Sequence, residues 1–144
     1  MSLRRVPIKG WAKCVHDAAS FEGRGEYAAA LLLDSASMVG WWLRNDPVSF
    51  RIPTPAGYFE PDFIYHATRS GTTSMGILEI KGESFWDGDG SVPRVKAAAA
   101  SEWARAVHEV GVKPPWEFAV VLEQDALRST TFEELRGFAV QAFP

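Results

Sequence analysis

The chain has 144 residues, of which 47% are hydrophobic and 23% charged; that suffices for one domain with a real core and excludes wholesale disorder. A formal net charge of -3 and a pI of about 5.6 exclude the global basic excess common in nucleic-acid binders, so any contact with phosphate has to be local. The single cysteine, Cys14, excludes an internal disulfide framework and a cysteine-rich zinc site.

Residues Met1 to Arg24 show no clear periodicity and end in Gly23-Arg24-Gly25. Glu26 to Ser37 reads as a helix, with Tyr27, Leu31, Asp34 and Met38 on one stripe and Ala28 to Ala30 raising its propensity. Val39 to Leu43 is an aromatic and β-branched run suited to a strand, stopped by Asn45-Asp46-Pro47. Phe50 to Ile52 predicts a second short strand closed by Pro53 and Pro55, Gly57 a turn, and Asp62 to Ala67 a third strand. Thr68 to Ser74, rich in Gly, Ser and Thr, reads as a flexible tip.

Met75 to Lys81 is the clearest strand, its inward set being either Gly76, Leu78 and Ile80 or Ile77, Glu79 and Lys81. A glycine- and acid-rich loop follows from Gly82 to Pro93, where proline suits the first turn of a helix. Val95 to Val110 is a strong helix ended at Gly111, and Pro114-Pro115 breaks the chain. Phe118 to Leu122 has the length of a buried strand. Thr131, with Glu134 three residues on, reads as the capping box of a last helix. Strands around one crossover helix imply a mixed sheet with helices on both faces.

Gly57-Tyr58-Phe59-Glu60-Pro61-Asp62-Phe63 and Leu78-Glu79-Ile80-Lys81-Gly82 place charges inside apolar, strand-like runs. Strand alternation puts Glu79 and Lys81 on one face, about 6–7 Å apart along the chain, with Ile80 directed into the core. A carboxylate and an ammonium there are expensive to bury without a purpose. A hard-cation site supplies one: Asp62 and Glu79 would give two carboxylates from adjacent strands and the Ile80 carbonyl a third oxygen for Mg²⁺ or Mn²⁺. Lys81 would neutralise a developing oxyanion and orient the attacking water. Two neighbouring carboxylates repel, so at least one should titrate high, with Lys81 opposing the shift.

Pro61-Asp62 followed by Glu79-Ile80-Lys81 resembles the PD-(D/E)xK nuclease superfamily. Further positions, Glu26-Tyr27, Leu33-Asp34, Trp41 to Asn45, Ile52-Pro53, Tyr58, Gly82, Lys96 and Trp103, follow the order of the nuclease region of type III restriction subunits and related helicase-nucleases. The resemblance covers roughly residues 22–123 of a chain read as one domain over 1–144. It implies a restriction-endonuclease-like fold, an α/β mixed sheet of about four to five strands flanked by helices. It further implies a magnesium-dependent deoxyribonuclease, an endonuclease with Asp62, Glu79 and Lys81 as catalytic core.

Glu26 would complete the metal shell, and Lys96 would lie near the DNA backbone. DNA is the implied partner, alongside a helicase or restriction-system subunit, and a homodimer is open to such a module; this chain has no helicase motor. A catalytically inactive nucleic-acid-binding or assembly module of the same fold is the alternative. No apolar run reaches the ~18 residues that span a bilayer, and Met1-Ser2-Leu3-Arg4-Arg5 carries no hydrophobic signal core, so we expect a cytoplasmic protein without membrane association.

Other features read as structural. Glu22 competes with Glu26 for the acidic role, and Glu26 itself would favour a helix N-terminus. Asp87 to Ser91 is half a calcium loop, lacking the acid its last position requires. Gly23 to Ala28 matches a loose dinucleotide fingerprint with no strand before it. His16, His66 and His108 have no ligand spacing, and Cys14, Trp41, Trp42 and Trp103 suit a core. Trp86, beside the expected site, is better placed than the others to stack on a base, but it too reads first as a core residue.

Overall fold

The computed structural model describes residues 6–46, 49–82 and 92–140. A two-residue pairing of β1 (Ile8–Lys9) with β2 (Ala18–Ala19) precedes helix α1 (Arg24–Ser35). The main sheet then runs through β3 (Val39–Arg44), β6 (Phe63–Arg69), β7 (Thr72–Lys81) and β8 (Trp116–Leu122), in the order β3-β6-β7-β8. Its first three strands are antiparallel, and helix α2 (Val92–Glu109) carries the chain across to β8, which is parallel to β7. A separate ribbon, β4 (Ile52–Thr54) against β5 (Gly57–Phe59), lies before β6, and two short helices, α3 (Glu123–Arg128) and α4 (Phe132–Gly137), follow β8. The expected mixed sheet with a crossover helix is therefore present, with four strands.

Both candidate inward sets of β7 are buried apart from the half-buried Lys81, because the strand is central and each face has its own cover. Leu78 and Ile80 join Leu33, Trp42, Phe63, Tyr65 and Val121 in a core beneath α1, α3 and α4. Ile77 faces the other way, against Ile52, Phe59 and Ala100, with Trp103, Trp116 and Phe118 around them. Fully burying a large apolar side chain contributes about 1.5–3 kcal/mol, so these two layers set the register on both faces.

Several local expectations shift. The buried face of α1 carries Glu26, Ala29, Ala30 and Leu33 rather than the stripe through Leu31, which is exposed; two alanines with no side chain beyond Cβ let the helix sit close on the sheet. Thr68 to Ser74 is not a loose tip. The ladder continues to Arg69 opposite Thr72, and Ser70 and Gly71 take positive φ of 50° and 81°, the pair a tight two-residue hairpin needs.

The second strand lies over Ile52–Thr54 rather than Phe50–Ile52, and Pro53 sits inside it; a two-stranded ribbon has an edge where proline costs no ladder bond. Helix α2 starts at Val92, so Pro93 does fall in its first turn. Thr131 caps α4 as expected, its Oγ1 accepting from the Glu134 N–H at 3.1 Å, while Glu134 Oε1 accepts from the Thr130 N–H at 2.9 Å. The expected loop after Gly82, with Trp86 and Asp87 to Ser91, lies outside the described residues. Among the described residues no helix is long and apolar enough to cross a membrane.

Candidate metal and phosphate cleft

Where α1, β6, β7 and the start of α3 meet, a cleft of about 390 Å³ opens, lined among others by Glu22, Glu26, Asp62, Glu79, Lys81 and Glu123. Asp62 immediately precedes β6, and the pairing of Phe63 with Leu78 sets it beside Glu79. Three devices fix it there. The Asn45 N–H donates to the Asp62 carbonyl at 2.7 Å, and Arg44 Nη1 donates to the same oxygen at 3.0 Å. Asn45, buried, also donates through Nδ2 to the carbonyls of Phe50 and Pro61, both at 2.9 Å.

The two strand carboxylates anchor each other's segments. Asp62 Oδ2 accepts from the Ile80 N–H at 2.8 Å, and Glu79 Oε1 accepts from the Asp62 N–H at 2.9 Å. Their second oxygens face cations: Glu79 Oε2 lies 2.8 Å from Lys81 Nζ, and Asp62 Oδ1 lies 3.6 Å from Arg44 Nη2. Glu26, on the first turn of α1, completes the group. Its Oε1 is 2.9 Å from Arg44 Nη2 and accepts from the Glu22 N–H at 3.3 Å.

Burial dominates the titration of all three acids. It pushes Glu26 up to about 7, with Asp62 adding to the shift and Arg44 opposing it. Asp62 is raised well above the usual carboxylate range by burial and then by the Glu79 charge, again against Arg44. Glu79 is raised by burial, against Lys81. The expected high titration is thus present, with desolvation ahead of mutual repulsion as its cause. For Lys81, burial alone would lower the pKa, but Glu79, Asp62 and Glu26 outweigh it and raise it; the side chain stays an ammonium.

Sequence reasoning brought Asp62, Glu79, Lys81 and Glu26 to one place, and Ile80 lines the same cleft. Lys96 stands apart: its Nζ lies alongside Gly57 at the ribbon turn, where a Cβ on Gly57 would meet it at 3.8 Å. Arg44 was missed. Strand alternation puts it on the face of Trp42, but only the full burial of Trp42 in the packed sheet shows that this face is inward. Glu123 was missed too; it packs so closely on α1 that a Cβ at Gly25 would stand 2.6 Å from its Cγ, which requires glycine there.

Among the described residues no three histidine, cysteine or acidic side chains close into a ready metal cage, and Arg44 stands between two of the carboxylates. What remains is a set of hard carboxylate oxygens, three of them held by backbone N–H groups and three facing cations, Glu26 Oε1 doing both. Carboxylate oxygens are the donor type that hard cations such as Mg²⁺ or Mn²⁺ take, usually one or two with water completing the shell. No family model, curated protein or solved structure matches the chain, and its function is therefore read from the chemistry of the cleft.

Proposed function

We propose that the chain is a metal-dependent nuclease domain of the PD-(D/E)xK type, hydrolysing DNA phosphodiester bonds. The observation that carries this reading is the convergence of Asp62, Glu79 and Lys81, from adjacent strands, with Glu26 from α1, in one cleft. An antiparallel three-strand unit extended by a parallel fourth strand, with helices on both faces, is compatible with the restriction-endonuclease-like fold. The relation to restriction or helicase-nuclease systems, and DNA as partner, belong to the same reading.

Asp62 and Glu79, with Glu26 and the Ile80 carbonyl, would hold Mg²⁺ or Mn²⁺. When bound, such a cation lowers the pKa of coordinated water and stabilises charge on a scissile phosphate. The chain supplies the rest. The backbone donors to Asp62 and Glu79 hold each carboxylate in one orientation, so little reorganisation is needed as charge develops. Lys81 is a fixed ammonium, unfit to act as a base at neutral pH. It is placed to pair with a phosphoryl oxygen and to stabilise the charge that grows there.

The test is cleavage of plasmid and single-stranded DNA by wild type and Asp62→Asn with Mg²⁺ or Mn²⁺. Wild type should cleave, and Asp62→Asn should lose both cleavage and cation binding. One observation favours a second reading, a catalytically inactive nucleic-acid-binding module: Arg44 already neutralises much of the charge on Glu26 and Asp62. Absence of cleavage by wild type under any divalent ion would put that reading first.

A further inference from the structure

Arg44 ends β3 and shares the buried face of Trp42, which aims its guanidinium under the first turn of α1. Nη1 donates to two backbone carbonyls, Asp62 at 3.0 Å and Asn45 at 3.2 Å. Nη2 then reaches Glu26 Oε1 at 2.9 Å and stands 3.6 Å from Asp62 Oδ1. A guanidinium is always charged, and its planar fork keeps that aim. It is a built part of the cleft, bound on one edge and directed at two carboxylates from different elements on the other.

We infer that Arg44 is a resident counter-ion that competes with the divalent cation for Glu26 and Asp62, and so sets how tightly the cleft takes metal. The inference rests on the metal-dependent reading above. Nη2 lies 2.9 Å from Glu26 Oε1 and 3.6 Å from Asp62 Oδ1, so a divalent cation drawn to those oxygens would compete with a charge already directed at them. Cation and guanidinium cannot both hold those oxygens at full strength.

Charge gives the competition a use. Arg44 is the cation that Glu26 and Asp62 share, so a divalent cation entering the cleft would meet its charge there. Without that counter-charge the same cation would be bound more tightly by the carboxylates and keep less positive charge for a phosphodiester. Arg44 therefore weakens cation binding alone and favours cation and phosphate together, a coupling that is reciprocal by linkage.

The experiment is Mn²⁺ binding by calorimetry, with the Mn²⁺-induced rise in Tm, on the full chain as wild type, Arg44→Gln, Arg44→Lys and Asp62→Asn. Arg44→Gln should bind Mn²⁺ about tenfold or more tightly, equivalent to about 1.4 kcal/mol, and show the larger Tm rise. Arg44→Lys, which keeps the charge, should stay near wild type. Arg44→Met, whose unbranched apolar stem preserves the packing, replaces the glutamine variant if that one does not fold. Equal or weaker binding by the neutral variants overturns the inference. If Asp62→Asn loses that binding, the metal reading survives such a failure; if no protein binds Mn²⁺, or Asp62→Asn binds as wild type does, both fall.

Discussion

Glu26→Gln should stabilise the protein at alkaline pH, and its pH profile follows from the cleft. Burial holds Glu26 near 7, against an ordinary glutamate value of 4.5. Below about 4.5 the residue is protonated folded or unfolded and contributes no pH dependence. Between 4.5 and 7 the unfolded chain releases the proton first, so ionisation favours unfolding and wild-type stability falls as pH rises. Above 7 both states are ionised and the loss is complete. The gap corresponds to ~3 kcal/mol at 1.36 kcal/mol per pH unit, an upper figure because Arg44 and Asp62 respond to the change.

Glutamine resembles the protonated form and escapes this loss, though it gives up the ion pair with Arg44. The assay is urea unfolding of both proteins in EDTA from pH 4 to 8.5, read as the difference between their stabilities. The variant should gain on wild type through the window from 4.5 to 7, by up to ~3 kcal/mol, and hold a constant lead above it. Added Mn²⁺ should narrow that lead by stabilising wild type more than the variant. A difference that does not change with pH, or a variant less stable than wild type at pH 8, would refute the assignment of Glu26 as a buried acid held against its preference.

Three further outcomes are expected. Gly76→Ala should cost ~3 kcal/mol or more in urea unfolding, above the usual overpacking range, because its Cβ would stand 1.9 Å from Cζ of the buried Tyr65 ring; a cost below 1 kcal/mol would mean that the ring yields. Thr131→Ala should remove about 1 kcal/mol by deleting the cap of α4, with unchanged stability showing that Thr131 caps nothing in solution. Lys81→Ala should cut turnover about a hundredfold or more while DNA binding in Ca²⁺ falls only modestly, and wild-type cleavage rates in the variant would remove Lys81 from the mechanism.

Asp62 and Glu79 were legible because each stands in an apolar, strand-like run, whereas Glu26 came only through the family resemblance. Strand period alone puts Glu79 and Lys81 on one face of β7, and the proline before Asp62 marks a strand start. Arg44 was not legible, because an arginine at the last position of a strand looks the same whether it faces water or a helix. Only the burial of Trp42, two residues earlier, distinguishes the cases, and burial is a property of the packed sheet. Helix α3 was hidden because it follows β8 with no linking residue and is only six residues long. The β6–β7 hairpin was misread because Ser70-Gly71 looks loose by composition, while its value lies in positive φ. What the sequence shows poorly in each case is a contact made between elements.

A further carboxylate in the same molecule sharpens the reading of Glu26, Asp62 and Glu79. Glu117, on β8, is partly buried and accepts from Tyr65 at 2.7 Å, Ser74 at 2.6 Å and Arg69 at 2.7 Å, with Arg136 Nη2 at 2.8 Å. Burial alone would raise its pKa, but these partners outweigh it and hold it below the usual range. That is a carboxylate whose charge the fold satisfies, tying β6, β7, β8 and α4 together. Glu26, Asp62 and Glu79 are built the opposite way. They are oriented by backbone N–H groups yet still titrate high, with fewer cations than charges. Replacing buried ions by apolar groups is often neutral or stabilising by about 1–4 kcal/mol, so stability gives no reason to keep three of them together. Perturbed acids converging on a cleft mark a candidate functional site, and that convergence is what the proposed function rests on.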